Sequence, residues 1–235
     1  MLEVKRPTLE LNLNLLRHGE SDYNTTPHVI GGRSNHIKLT AGGEAQANAL
    51  GERLKDESVR FDKVYTSPAI RAMRTAEIAC NALGHTGNII IRDELQELSQ
   101  GEWEGKSRAL MYTVAVIQEM NDTQPYFRAP KGESQAEVEE RMVDIVKEWI
   151  ALTQKQNKNL SVGVFGHGLA FKCLLRNVLG SQARMTHRIA ITNCSITELK
   201  YNLDGVNKGW EVLKVNDHSH ILKIGYSGNA LPEYA

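Results

Sequence analysis

The 235-residue chain is long enough to bury one substantial core, and its 28 basic and 28 acidic side chains cancel to a formal net charge of zero. No overall field would draw such a chain to nucleic acid or to an acidic membrane, so an anion site has to be assembled locally. No apolar run approaches the roughly 20 residues of a membrane helix, and MLEVKRPTLELNLNLL lacks the pattern of a cleavable leader, which predicts a cytoplasmic protein without a membrane partner.

Leu11, Leu13 and Leu15 alternate with Asn12 and Asn14, the period of a half-buried strand, and Leu16 leads directly into Arg17, His18 and Gly19. After a polar, glycine-rich loop, Thr40 stands as an N-cap before the helical run AGGEAQANALGERLKDE. KVYTS reads as a short strand, and Ser67-Pro68 as the start of a helix with Ala72, Ala76, Ala79 and Leu83 along one packing face. NIIIRDELQEL is a third strand and its exit, Lys106 to about Met120 a helix, and NDTQPYFRAPKGES a loop punctuated by prolines. Ser134 and Glu137 form a capping box ahead of Val138, Met142, Ile145, Trp149 and Leu152, which share one helical stripe.

LSVGVF has the composition of a buried parallel strand and ends at Gly166-His167-Gly168, before the helix LAFKCLLRNVL. SITELKY and GWEVLKVN close the pattern as an antiparallel edge pair around Asp204-Gly205. Alternating strands and helices predict an α/β three-layer sandwich, with a largely parallel central sheet and helices on both faces. One domain is expected over 9–222, with tails at 1–8 and 223–235. The cysteines Cys80, Cys173 and Cys194 are scattered and odd in number, which predicts reduced core thiols in place of disulfides or a zinc site.

Two predicted strands end in histidine, and in open α/β sheets ligands bind beyond the carboxyl ends of strands. Arg71 lies in the first turn of the helix after another strand. Arg17, His18, Arg71 and His167 would make a cationic pocket in a neutral protein, which suits a compact anion such as phosphate. Gly168 would let backbone amides at a helix start approach that anion. A neutral imidazole beside arginines could attack phosphorus, while a carboxylic acid supplied the leaving group's proton. For that acid the residues alone leave Glu94, Glu97, Glu102 and Glu104 open.

LLRHGESDYN, YTSPAIRAMRTAE, LQELSQGEWEG and VFGHGLAFKCLL occur in order and resemble the histidine phosphatase superfamily, in the branch of phosphoglycerate mutases and cofactor-independent phosphatases. The resemblance runs from about Leu11 to about His220. It implies a phosphoglycerate mutase-like fold, His18 as the phosphorylated nucleophile, Arg17, Arg71 and His167 as the rest of the phosphate pocket, and Glu97 as proton donor. It also implies phosphate contact by Asn24, an arginine of the covering loop at Arg33, structural roles for His218 and His220, and no metal or organic cofactor. Lys38 replaces a frequent proline, and the loop GGRSNHIK is unusually polar, so the substrate loop departs from the family pattern.

The segment after the acid motif is shorter than in mutases and offers few cations, Arg108, Arg128 and Lys131 among them. Hydrolysis of a small phosphorylated metabolite is therefore the leading expectation. Phosphoglycerate mutase activity and a non-catalytic phosphate binder are the alternatives, and a homodimer is possible. Arg128 and Lys131 could touch the far end of a substrate or remain solvated loop charges.

Overall fold

The computed structural model describes residues 9–226; the expected tail over 1–8, and 227–235 of the expected C-terminal tail, lie outside them. Among the described residues the strands form one six-stranded sheet of order β3-β2-β4-β1-β5-β6. Here β1 is Glu10–Arg17, β2 Lys63–Thr66, β3 Ile89–Ile91, β4 Leu160–Gly166, β5 Ile196–Asn202 and β6 Gly209–Asp217. The first four strands in that order run parallel, and β5 and β6 add an antiparallel edge pair.

The alternation in β1 divides its side chains between two cores. Leu11, Leu13 and Leu15 enter the cluster under α5 (Gln135–Gln156) and α6 (Gly168–Val178), whereas Leu16 joins the opposite cluster with α1 (Ala41–Asp56) and α2 (Ile70–Leu83). Helices thus cover both faces of the sheet. Trp149, 1 % exposed, stacks on Tyr65 with ring centroids 4.9 Å apart and ties α5 to β2. The three thiols are free and buried. Beyond 222, packing continues to Tyr226, which lies against the α1–α2 core, so the boundary drawn at 222 falls short of the packed chain.

Local signals hold at several helix ends. Thr40 accepts from the Gly43 amide at 3.0 Å, and Ser134 and Glu137 make the full capping box at the start of α5. Other boundaries differ. α2 begins at Ile70 behind Ala69, two positions after Pro68, because the Ser67 hydroxyl takes the Ala69 amide and also meets His167. The third strand stops at Ile91, since its neighbour β2 ends in register at Thr66, whose carbonyl takes the Arg92 amide at 2.9 Å as the last bond between the two. The expected helix from Lys106 divides into α3 (Arg108–Met111) and α4 (Val114–Thr123), with the Thr113 side chain capping the second piece. His218 and His220 follow β6 on the short helical turn α7 (Ser219–Leu222). Among the described residues no helix is long and apolar enough to cross a membrane.

Candidate active site

The chain leaves β1 through a contact that only glycine permits. A Cβ at Gly19 would stand 2.4 Å from the Gly43 carbonyl oxygen, so the strand exit and the first turn of α1 meet backbone to backbone. The Gly19 amide donates to Thr75 Oγ1 at 3.0 Å, and that hydroxyl donates to the Arg71 carbonyl at 2.7 Å. The histidine loop is thereby tied to α2, the helix that carries Arg71.

His18 and His167 stand together, their ring centroids 5.2 Å apart. His18 Nδ1 lies 2.7 Å from the Gly19 carbonyl, and Arg71 Nε donates to His18 Nε2 at 3.3 Å. One tautomer satisfies both contacts, with the proton on Nδ1 and the lone pair on Nε2. Burial first, then the charges of Arg71 and Arg17, hold His18 well below the ordinary histidine range, while the Gly19 carbonyl opposes them. A neutral imidazole with an available Nε2 is the result.

Arg71 organises the site. Its Nη2 donates to His167 Nδ1 at 3.2 Å and to the Arg33 carbonyl at 3.1 Å, and its Nη1 donates to the Ser34 carbonyl at 2.9 Å. Desolvation lowers this guanidinium to about 10, although Glu97 draws it upward. His167 donates from Nε2 to Ser67 Oγ at 2.8 Å, and burial followed by the Arg71 charge keeps it neutral. Arg17 Nη1 donates to the Ile191 carbonyl at 2.5 Å, and its Nε is buried with no partner among the described residues, an orphaned donor where an anion would fit.

A cavity of about 630 Å3 opens over this cluster, within the range of small-molecule sites. Arg17, His18, Asn24, Arg71, Glu97 and Asn193 line it. Asn24 offers its amide nitrogen, because its oxygen is occupied by the Ser21 amide and hydroxyl, both at 3.0 Å, and by Asn193 Nδ2 at 3.2 Å.

The four candidate acids separate clearly. Glu94 pairs with Arg92 and Glu102 with Lys131, and Glu104 is consumed by the Arg33, Ser34 and Gln100 amides. Glu97 alone of the four faces the cavity. Its carboxylate accepts from the amides of Leu98 at 2.9 Å and of Leu169 and Ala170 at 3.0 Å. This corrects the expectation that the start of α6 is offered to a bound anion: two of its amides are held by the protein's own carboxylate.

Three other expectations also need correction. Arg33 does not line the cavity; its guanidinium turns to Glu133 at 3.2 Å and to the Glu97 carbonyl at 3.3 Å, where it braces the acid together with Arg141. His167 is wholly buried behind Arg71 and acts on it. Gly168 stands off the cavity wall, where a Cβ would come to 3.4 Å from the Arg17 guanidinium, so its part is to make room for that side chain. Arg128 and Lys131 are solvated ion pairs with Glu137 and Glu102 and lie outside the cavity. Ser67, Asn193 and Glu104 complete the site, yet no local pattern marked their roles, because each acts on a segment distant in sequence.

The family model of the histidine phosphatase superfamily (branch 1) matches residues 13–218. The chain belongs to this superfamily. It is 32 % identical over 217 residues to a probable phosphoglycerate mutase GpmB of Proteus mirabilis, covering 91 % of this chain and 96 % of that one. Among solved structures it resembles YhfR of Bacillus stearothermophilus (27 % identity, TM-score 0.75, covering 90 % and 99 % of the two chains). It also resembles a phosphoserine phosphatase of Entamoeba histolytica in complex with 3-phosphoglyceric acid (25 % identity, TM-score 0.73, covering 90 % and 99 %). Members of the superfamily are phosphatases or mutases, and the mixed sheet with helices on both faces is their phosphoglycerate mutase-like fold.

Proposed function

We propose that the protein hydrolyses small phosphomonoesters through a phosphohistidine on His18. The observation that carries this reading is the fixed tautomer of His18, with Nδ1 held by the Gly19 carbonyl and Nε2 turned toward Arg71 at the cavity. In the first step His18 Nε2 attacks phosphorus and the ester P–O bond breaks. Arg71 exchanges its long contact to Nε2 for the phosphoryl oxygens, and Arg17 Nε supplies a second donor for the developing charge. Glu97 gives a proton to the leaving alkoxide. In the second step water loses a proton to Glu97 and attacks phosphorus, the N–P bond breaks, and inorganic phosphate leaves with His18 restored.

A second reading, phosphoryl transfer between 2- and 3-phosphoglycerate, is favoured by the name of the Proteus mirabilis relative. One experiment separates the two. The protein is given an aryl phosphate and, separately, 3-phosphoglycerate, beside His18→Ala. Hydrolysis predicts phosphate release that falls at least about 1,000-fold in His18→Ala, with an acid-labile label trapped on His18. Rapid interconversion of phosphoglycerates without net phosphate release would establish the mutase, and silence in both assays would leave a phosphate binder.

A further inference from the structure

Glu104 is set back from the cavity, yet its carboxylate lies directly behind the turn that receives Arg71. Its Oε1 accepts from the Arg33 amide at 3.0 Å and its Oε2 from the Ser34 amide at 3.1 Å, two successive N–H groups turned toward one carboxylate. On the other side of the turn, Arg71 donates from Nη2 to the carbonyls of Gly32 at 3.4 Å and Arg33 at 3.1 Å. The peptide units 32–33 and 33–34 therefore each have their N–H on Glu104 and their C=O on Arg71. Both dipoles point the favourable way, positive end to the carboxylate and negative end to the guanidinium, so the two charges form an ion pair relayed through the backbone.

Glu104 is itself firmly anchored. The Gln100 amide donates to Oε1 at 2.9 Å, and the backbone on either side of the turn is tied by Gly105 N–H to the Ile30 carbonyl at 2.8 Å and Ile30 N–H to the Lys106 carbonyl at 2.9 Å. Residue 32 has no side chain to obstruct the carboxylate, since a Cβ there would come to 2.6 Å from Oε1. An ionised acceptor holds the two amides about twice as strongly as a neutral one would. Arg71 is buried, which lowers its guanidinium; Glu97 raises it, Arg17 lowers it again, and Glu104 acts upward through the turn.

We propose that Glu104 is the positioning residue of Arg71: through the 32–33 and 33–34 peptides it fixes where the guanidinium stands, so that Arg71 meets the transferred phosphoryl group in one orientation. Glu104 touches neither the substrate nor the reacting atoms. The assignment to Arg71 stands on the geometry of the turn, and its consequence for hydrolysis rests on the phosphatase reading.

Two measurements on the full chain test it. The first is hydrogen exchange at the Arg71 Nε–H, followed by 15N NMR without ligand and identified by its loss in Arg71→Lys. Glu104→Gln, which keeps the shape and removes the charge, should speed that exchange at least about tenfold. The Arg176 Nε–H, bonded to Glu139 at 2.7 Å near the end of α6, should keep its native rate and so reports any general loosening. The second is a double-mutant cycle on kcat/KM for an aryl phosphate. Glu104→Gln should lower it about 10- to 100-fold in the native chain but less than about threefold in Arg71→Gln, because there is then no guanidinium to position. Glu104→Asp, with the charge kept at shorter reach, should fall between native and Glu104→Gln in both measurements, and it decides the question should Glu104→Gln not fold. Native exchange at Arg71 in both Glu104 variants, equal acceleration at Arg176, or an undiminished loss in Arg71→Gln overturns the assignment. A native protein that releases no phosphate rejects the phosphatase, and exchange at Arg71 then decides the role of Glu104 by itself.

Discussion

At the scale of single residues, the site depends on keeping two imidazoles neutral beside a buried cation. Arg71 contributes both a charge that disfavours imidazolium and a planar fork that reaches His18, His167 and the 33–34 carbonyls at once. Arg71→Gln removes both. His18 then rises toward its ordinary range, the neutral fraction at a given pH falls, and the acid limb of kcat/KM should move to higher pH while its plateau drops about 100- to 1,000-fold. Arg71→Lys keeps the charge and loses the fork, so it should lower the plateau with a smaller shift. A pH–rate profile for an aryl phosphate distinguishes the two, and an unmoved acid limb in Arg71→Gln would count against the electrostatic role. The histidines and Arg71 were legible because each follows a strand end or opens a helix. Arg33 misled, since a loop arginine has the same local signature whether it points into a cavity or at Glu133.

At the scale of elements, the capping box of α5 and the Thr40 cap of α1 are local devices and are formed as the sequence indicates. The breaks at Ile91 and Tyr112 were not legible, because a strand ends where its neighbour's hydrogen bonds end and a helix breaks where a later cap competes. The junction of β1 with α1 is the most sensitive of these joints. A methyl group at Gly19 would collide with the Gly43 carbonyl and shift the loop that holds His18. Gly19→Ala should therefore cost about 1–3 kcal/mol of stability, read by urea denaturation, and should lose phosphate release in greater proportion than folded protein. Full activity with unchanged stability would show that the contact relaxes freely.

At the scale of the whole molecule, acid stability collects the effects of several buried histidines. His220, 4 % exposed, is pushed down to about 4 from 6.5, chiefly by burial, although its bond to the Cys194 carbonyl acts the other way. Between those pH values the unfolded chain binds a proton that the folded chain refuses. The contribution is thus complete above pH 6.5 and declines as pH falls through about 4. His18 and His167, also held low, act with the same sign. Urea midpoints should fall steadily from pH 7 toward pH 4, and His220→Gln, which has no proton to gain there, should show a shallower decline. Identical slopes in the two proteins would remove His220 from the account.

The sequence by itself determined the α/β order of elements, the two strand-end histidines, Arg71 and the family motifs, because periodicity, caps and glycine breaks are interactions within a few residues. Only the tertiary structure decided that Glu97 closes the start of α6, that Arg33 turns to Glu133, and that Arg176 ties Gln135 to the 3-10 turn at Thr186. Those outcomes depend on which groups from distant segments satisfy one another's hydrogen bonds once water is excluded, and no short stretch of chain records that competition.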